Sequence, residues 1–307
     1  MAEGDGSDDG FPIVDAHHHL WDLGRNYYPW LCDPSLIPFR YGDYSSLKRN
    51  YLPEDYRRDS AKFNIVKTVH MEAEWDRADP TAETRWLETI HVAFGFPNAF
   101  IGHAEPDRAD IAEVLAAHAK SPLVRGIRHK PASAPSPAEA KRGQKGSMDD
   151  PMWRRGYALL ESFGFSYDLQ TPWWHLDAAA ELARDFPGIQ IVINHTGLPA
   201  DRSPEGLAGW RRAMEQVAAR NNVALKISGI GLRDLPWTVE RNGPIIRDAI
   251  AIFGADRCMF ASNFPVDRVV ASFVTIFNGF REATAHETLE NRRKLFHDNA
   301  VRIYRLS

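Results

Sequence analysis

Only two cysteines, Cys32 and Cys258, stand in the 307 residues, and they lie far apart. They form no metal or redox spacing, so a disulfide framework and a thiolate metal site are excluded. A buried pair of free thiols in a cytoplasmic protein is expected instead. Also missing is any apolar run of ~18 residues, which excludes a membrane-spanning helix. There is no long basic run. The net charge is −4, with acidic and basic residues interspersed, which argues against nucleic acid or an anionic membrane as partner. The opening MAEGDGSDDG is acidic and glycine-rich, unlike the basic and apolar regions of a secretory signal. Residues 1–10 are expected to be disordered, ahead of a single domain over 11–307. Finally, no glycine-rich phosphate fingerprint follows the first apolar run, which weakens an open, dinucleotide-binding sheet.

What is present is material for one sizeable core, with 44% hydrophobic and 11% aromatic residues. The length exceeds the ~100–200 residues usual for a domain, but α/β barrels reach ~250. Eight short apolar runs read as buried strands: 12–19, 65–72, 99–105, 124–130, 165–170, 189–195, 223–228 and 258–263. Between them lie segments of helical spacing, among them 82–93, 111–120, 153–163, 176–184 and 207–220. Phe-Pro-Asn at 96–98, Phe-Pro-Gly at 186–188 and Phe-Gly-Ala at 253–255 each stop a helix before a strand. Eight strands alternating with helices predict an α/β fold, the (β/α)8 TIM barrel. Two connections are long. The one after the first strand, 23–64, carries nine aromatics and predicts a packed lid; 131–151 has no apolar period and predicts a mobile surface loop.

Polar residues crowd the C-terminal ends of these strands, where barrel enzymes place their chemistry. The first strand reads VDAHHHLWD, residues 14–22. By strict alternation Asp15, His17 and His19 share one face and His18 takes the other, where it is expected to bond neighbouring backbone. His17 and His19 are thus spaced to converge on one ion. Further round the barrel stand His70 and Glu72, His103 and Glu105, Arg128 and Lys130, Asp168 and Gln170, Asn194 and His195, Lys226 and Ser228, and Asn263.

Together these phrases resemble the amidohydrolase superfamily: D-x-H-x-H on the first strand, NHTG at 194–197, and a Ser-x-x-Pro turn at the eighth strand. VRGIRHKP, VINHTGLP, LKISGIG and FASNFPVD, in that order, resemble its lactone-hydrolase branch, which includes 2-pyrone-4,6-dicarboxylate lactonase and L-fuconolactonase. The resemblance implies a barrel that opens a cyclic ester of a small carboxylated or aromatic-derived metabolite. The sequence also departs from the branch. Where its members usually read Ser-Asp-x-Pro, this chain has Ser262-Asn263-Phe264-Pro265, and an asparagine cannot take the proton of an attacking water. The superfamily's fifth-strand histidine is missing. Arg128 stands on the fourth strand, where a two-metal site needs a bridging carboxylate or carbamylated lysine.

Two arrangements remain open. In one, His17, His19 and His195 hold a single divalent metal, zinc favoured, with an open fourth position. In the other the site is metal-free, the histidines and Arg128 polarise the carbonyl, and Glu72, Asp168 or Asp267 supplies the base. The expected catalytic set is His17, His19, His195, Glu72 and Asn263. Arg128, Tyr167, Asp168, Trp173 and Trp174 are expected to bind substrate, with Arg128 clamping a carboxylate. Its alternative is a rim salt bridge to Glu72 or Asp168, and that of Lys226 a pairing with Asp168. The partner is then a small molecule, and a homo-oligomer built on the first loop is left open. Two other readings are carried: a decarboxylase or hydratase on the same barrel, and a catalytically silent metabolite-binding barrel. Asn263→Asp is expected to raise hydrolysis if the site is merely detuned.

Overall fold

The computed structural model describes residues 10–307, so most of the segment expected to be disordered lies outside the described residues. Eight strands form one sheet in chain order: β1 (Ile13–His18), β2 (Ile65–Met71), β3 (Ala99–His103), β4 (Val124–His129), β5 (Ser166–Leu169), β6 (Ile191–Ile193), β7 (Val223–Ile227) and β8 (Cys258–Phe260). Every hydrogen-bonded neighbour is parallel. Just past β8, the backbone closes the ring onto β1. The N–H of Asn263 donates to the His17 carbonyl at 2.8 Å, and that of His19 to the Phe264 carbonyl at 2.7 Å. The predicted strands are thus all present, each a residue or more shorter than its apolar run.

The strands are buried on both faces, which is why IVI at 191–193 and VALKI at 223–227 read as continuous rather than alternating runs. The helices start where small polar residues accept from orphan N–H groups. Asp150 caps Pro151–Ala158, Ser203 caps Pro204–Ala218, Thr238 caps Val239–Phe253 and Ser272 caps Phe273–Ala283. One apolar shell packs these helices against the outside of the sheet. A second cluster joins Val14, Met71, Ile101, Val192, Ala224 and Met259 inside the barrel, with Tyr304 from the C-terminus packed into it. Above that plug the interior turns polar.

β1 carries a local irregularity that matters for the site. From Asp15 to His18 the chain takes three steps while its partner takes two, from Thr68 to His70. One extra residue of this kind is a β-bulge, and it resets which side chains point inward. Val14 and Ala16 therefore belong to the interior plug, yet His17 and His19 also reach the barrel mouth. Asp15 does not share their face as strict alternation predicts. Its carboxylate accepts from the Ser262 N–H (2.8 Å) and hydroxyl (2.6 Å) and from Tyr56 Oη (2.8 Å).

Two further expectations need correction. Cys258 is buried but Cys32 is exposed, because it ends a short helical turn in the long first connection. The 131–151 connection is pinned down: Arg142 pairs with Asp149, Asp177 and Glu181, and the Ala134 carbonyl accepts from Trp174 Nε1 at 3.0 Å. Among the described residues no helix is long and apolar enough to cross a membrane.

Candidate active site

A cavity of about 230 Å³ opens at the C-terminal mouth of the barrel. His19, His195 and Asn263 line it from the strand ends, and Trp30 and Phe39 from the first long connection. That connection is therefore the lid its aromatics predict: Tyr28, Tyr41, Tyr44 and Tyr51 are buried beneath it, and Trp30 Nε1 donates to the Ala73 carbonyl at 2.9 Å. His17 sits below the cavity floor, its ring 4.9 Å from His19 and 4.7 Å from His195.

The hydrogen bonds fix how these rings are presented. His19 Nδ1 lies 2.9 Å from the Met71 carbonyl, which can only accept, so the neutral ring carries its proton there and keeps a lone pair on Nε2. That Nε2 is 3.2 Å from His17 Nε2. This is the separation of two donors each ~2.0–2.1 Å from one zinc ion. His195 Nδ1 is held 3.0 Å from Ser228 Oγ, leaving Nε2 for the cavity. Anchoring one ring nitrogen on a carbonyl or hydroxyl while the other stays free is how metal-binding histidines are oriented. His17 Nδ1 is buried without a partner. As they stand, no three His, Cys, Asp or Glu side chains among the described residues form a cluster that could hold a metal ion. The donor set nonetheless fits one: two nitrogens at ligand spacing and a third ring alongside. Burial pushes all three imidazoles well below their ordinary value, helped by Lys226 for His17, Arg128 for His19 and Arg40 for His195. They are neutral at neutral pH, the form that ligates.

His195 owes its position to a left-handed turn. His195, Thr196, Gly197 and Leu198 all have φ between 54° and 68°. Each non-glycine residue there costs about 1–2 kcal/mol, strain that clusters at functional sites. Gly229 faces this turn: a Cβ there would lie 2.6 Å from His195 Nδ1 and 2.7 Å from Arg40 Nη2. Only a bare backbone fits between the two side chains.

Asn263 also lines the cavity, and the carboxylate it lacks is found one turn further on. Its Nδ2 donates to Asp267 Oδ1 at 2.6 Å, which fixes the amide and leaves Oδ1 free to accept. Asp267 is buried, which raises its pKa, while Arg40, Asn263 and Tyr41 work in the other direction.

The other expected residues fall into place less simply. Arg128 lines the cavity but is not free to clamp a substrate. Its Nε donates to Glu72 Oε1 at 2.7 Å, Nη2 to the Glu72 carbonyl, and Nη1 to Gln170 Oε1 at 3.3 Å. Glu72 does not line the cavity, because β2 turns Val69, Met71 and Ala73 inward. Burial alone would raise its pKa, but Arg128, His103, Arg77 and Lys130 outweigh it and hold the carboxyl well below the carboxylate range. It makes a poor base. Tyr167 faces out of the barrel, between Trp153 and Tyr157, with its hydroxyl donating to the His129 carbonyl. Asp168 points into the barrel but is taken by Lys226 Nζ at 2.6 Å and Tyr304 Oη at 2.8 Å. Trp173 packs on Gly209 of the helix Pro204–Ala218 and does not line this cavity; Trp174 walls a neighbouring one. His18 bonds Thr68 Oγ1 at 3.0 Å, a side chain rather than backbone. Sequence reasoning missed Arg40: one arginine in a long loop carries no periodic signal.

Comparison with known proteins identifies the family. A model of the amidohydrolase family matches residues 14–306. The chain belongs to that family. Among relatives, an uncharacterised protein of Sinorhizobium fredii, y4mH, is 42% identical over 294 residues, 96% of this chain and 98% of that protein. An L-fucono-1,5-lactonase of Burkholderia ambifaria is 27% identical, covering 95% of each. Among solved structures, an amidohydrolase of Burkholderia multivorans with bound zinc shares the fold, with a TM-score of 0.78 at 24% identity over 96% of this chain and 99% of that one. By family the chain is a hydrolase of the amidohydrolase type, and relatives named as lactonases are among those it resembles.

Proposed function

We propose that this amidohydrolase opens a lactone, the cyclic ester of a small carboxylated or aromatic-derived metabolite. The observation that carries the reading is the 3.2 Å approach of His17 and His19 Nε2 at the floor of a lidded cavity, with His195 beside them. The lactonase name of a relative covering 95% of the chain and the zinc of a related fold support it. His17, His19 and His195 would hold one divalent ion, zinc by its preference for imidazole. Bound there, such an ion supplies Lewis acidity and a water of pKa ~7.

The chain's own groups account for the rest. Asn263 Oδ1 accepts a hydrogen bond from the attacking water and aims it, and Asp267 keeps the amide turned that way. Asn263 itself takes no proton, so its part is to orient the water. Arg40 brings positive charge to the cavity, where the carbonyl oxygen becomes an oxyanion, whereas Lys130 is paired with Glu74 on the same wall. Trp30 and Phe39 wall the ring and exclude bulk water.

Metal content and lactone turnover test this together. Protein purified without chelator is expected to carry about one zinc per chain, lost in His19→Ala, and to open carboxylated or aromatic-substituted lactones in a pH-stat assay. Failure to open any lactone by a folded, metal-loaded protein, with release of CO2 from aromatic acids instead, would reject the ester reading.

A further inference from the structure

A second cavity of about 450 Å³ adjoins the first, and Arg40 and Leu198 line both. The left-handed turn that presents His195 to one cavity presents Leu198 to both. Trp174 and Pro172 after β5 and Arg202 after β6 form other walls of the second.

We propose that this second cavity is a carboxylate subsite, so that the substrate is elongated, with its ester carbonyl at the histidines and its carboxylate between Arg202 and Arg40. The proposal rests on the hydrolase reading for what happens at the ester end. The carboxylate end stands on its own observations. Arg202 is half-buried and pairs with no carboxylate among the described residues. Its Nη2 donates to the Ile230 carbonyl at 2.9 Å and to Asn242 Oδ1 at 3.4 Å, but Nε and Nη1 are buried without any partner. Arg40 repeats the pattern. Its Nη1 is buried and unpartnered, and the Asp267 oxygen 3.5 Å from its Nη2 already accepts from Asn263 and Tyr41. Buried guanidinium N–H groups are almost always satisfied, so two arginines that line one cavity and carry unpartnered nitrogens leave positive charge there short of acceptors. Burial pushes Arg202 down to about 10, the direction that a bound anion would reverse.

The volumes agree with a substrate that reaches into both cavities. The histidine cavity alone, about 230 Å³, is below the ~300–1,000 Å³ of ordinary ligand clefts. Pro199, Ile230 and Trp174 give the second cavity an apolar wall suited to a flat or aliphatic spacer. Arg128, by contrast, is already paired with Glu72 through Nε and Nη2 and bonded to Gln170 through Nη1.

The test has a binding arm and a turnover arm. By calorimetry, wild-type protein is expected to bind isophthalate but not its uncharged diamide, with Arg202→Gln weakening isophthalate by about tenfold or more and Arg202→Lys by less. For turnover, γ-phenyl-γ-butyrolactone is compared with the same lactone bearing a para-carboxylate. The kcat/KM of the carboxylated lactone should fall at least about tenfold further in Arg202→Gln than that of the neutral one. Thermal melts of each variant confirm folding. If no lactone is opened, the hydrolase reading fails while Arg202-dependent isophthalate binding still upholds the subsite. If both lactones are opened and suffer alike, and isophthalate binds wild type and Arg202→Gln equally, the subsite is overturned and the hydrolase stands. Binding of inorganic phosphate in preference to isophthalate, with the same Arg202 dependence, would also overturn a carboxylate site.

Discussion

At the scale of single residues, Asn263 is where structure changes an expectation most. From sequence, an aspartate there looks like the restoration of a lost base, so Asn263→Asp should help. In the folded chain Asn263 Nδ2 lies 2.6 Å from Asp267 Oδ1, and a second carboxylate at that distance cannot ionise alongside the first. Asn263→Asp is therefore expected to lower kcat/KM by about tenfold or more near neutral pH, the loss deepening as pH rises and the shared proton leaves. The swapped pair, Asn263→Asp with Asp267→Asn, removes the clash and should recover most of the rate, or exceed wild type. Equal activity of the single variant and wild type across pH would show that the two side chains do not act as a unit. His17, His19 and His195 were legible because their motifs resemble a family. Arg40 and Arg202 were not, since loop arginines reach a site only through the folded path of the loop.

At the scale of elements, the strands were legible and their facing was not. Apolar runs of the right length exposed all eight, but period-two reasoning assigned Asp15 to the face of His17, and Tyr167 was expected at the substrate although Asp168 and Gln170 take the inward phase. A bulge in β1 and the inward phase of Asp168 and Gln170 on and after β5 decide otherwise, and neither leaves a mark in residue type. The same phase brings Arg128 on β4 to Glu72 just past β2, a buried pair joining neighbouring parts of the rim. Such a pair costs desolvation to form, but removing one partner strands the other charge. Arg128→Met should destabilise the protein by about 3–5 kcal/mol in urea unfolding, and adding Glu72→Gln should recover much of that. If the double variant is as unstable as Arg128→Met alone, Glu72 is not the stranded charge. In that case the arginine acts through packing or through Gln170.

At the scale of the whole molecule, the barrel is closed below by apolar side chains and Tyr304, and charged above. The Lys226–Asp168 pair, which sequence offered as the plainer alternative to a substrate contact, sits where the two layers meet, fully buried, with the Tyr304 hydroxyl donating to Asp168. This charged upper layer sets how stability follows pH. Glu72 is held well below the carboxylate range, its charged neighbours outweighing burial. Glu105 is lowered to about 2, chiefly by the His103 ring, whose Nε2 lies 3.5 Å from its carboxylate, against burial. In the unfolded chain both return to ~4.3. A depressed folded value means that the unfolded state takes up protons first, so this contribution is whole above ~4.3 and drains away as pH falls toward 2. Lys226 works with the opposite group but the same slope. Burial lowers it to about 8 against ~10.4 unfolded, so between those values the unfolded chain again holds the extra proton and stability from this group rises with pH. Urea midpoints should therefore drop steeply between pH 5 and pH 3, and the drop should be shallower in the Arg128→Met/Glu72→Gln background, where one of the depressed carboxylates is gone. An unchanged acid slope in that background would mean that Glu72 contributes nothing to the acid limb. Glu105, a third exposed and screened by water, would then have to carry it with the remaining surface carboxylates.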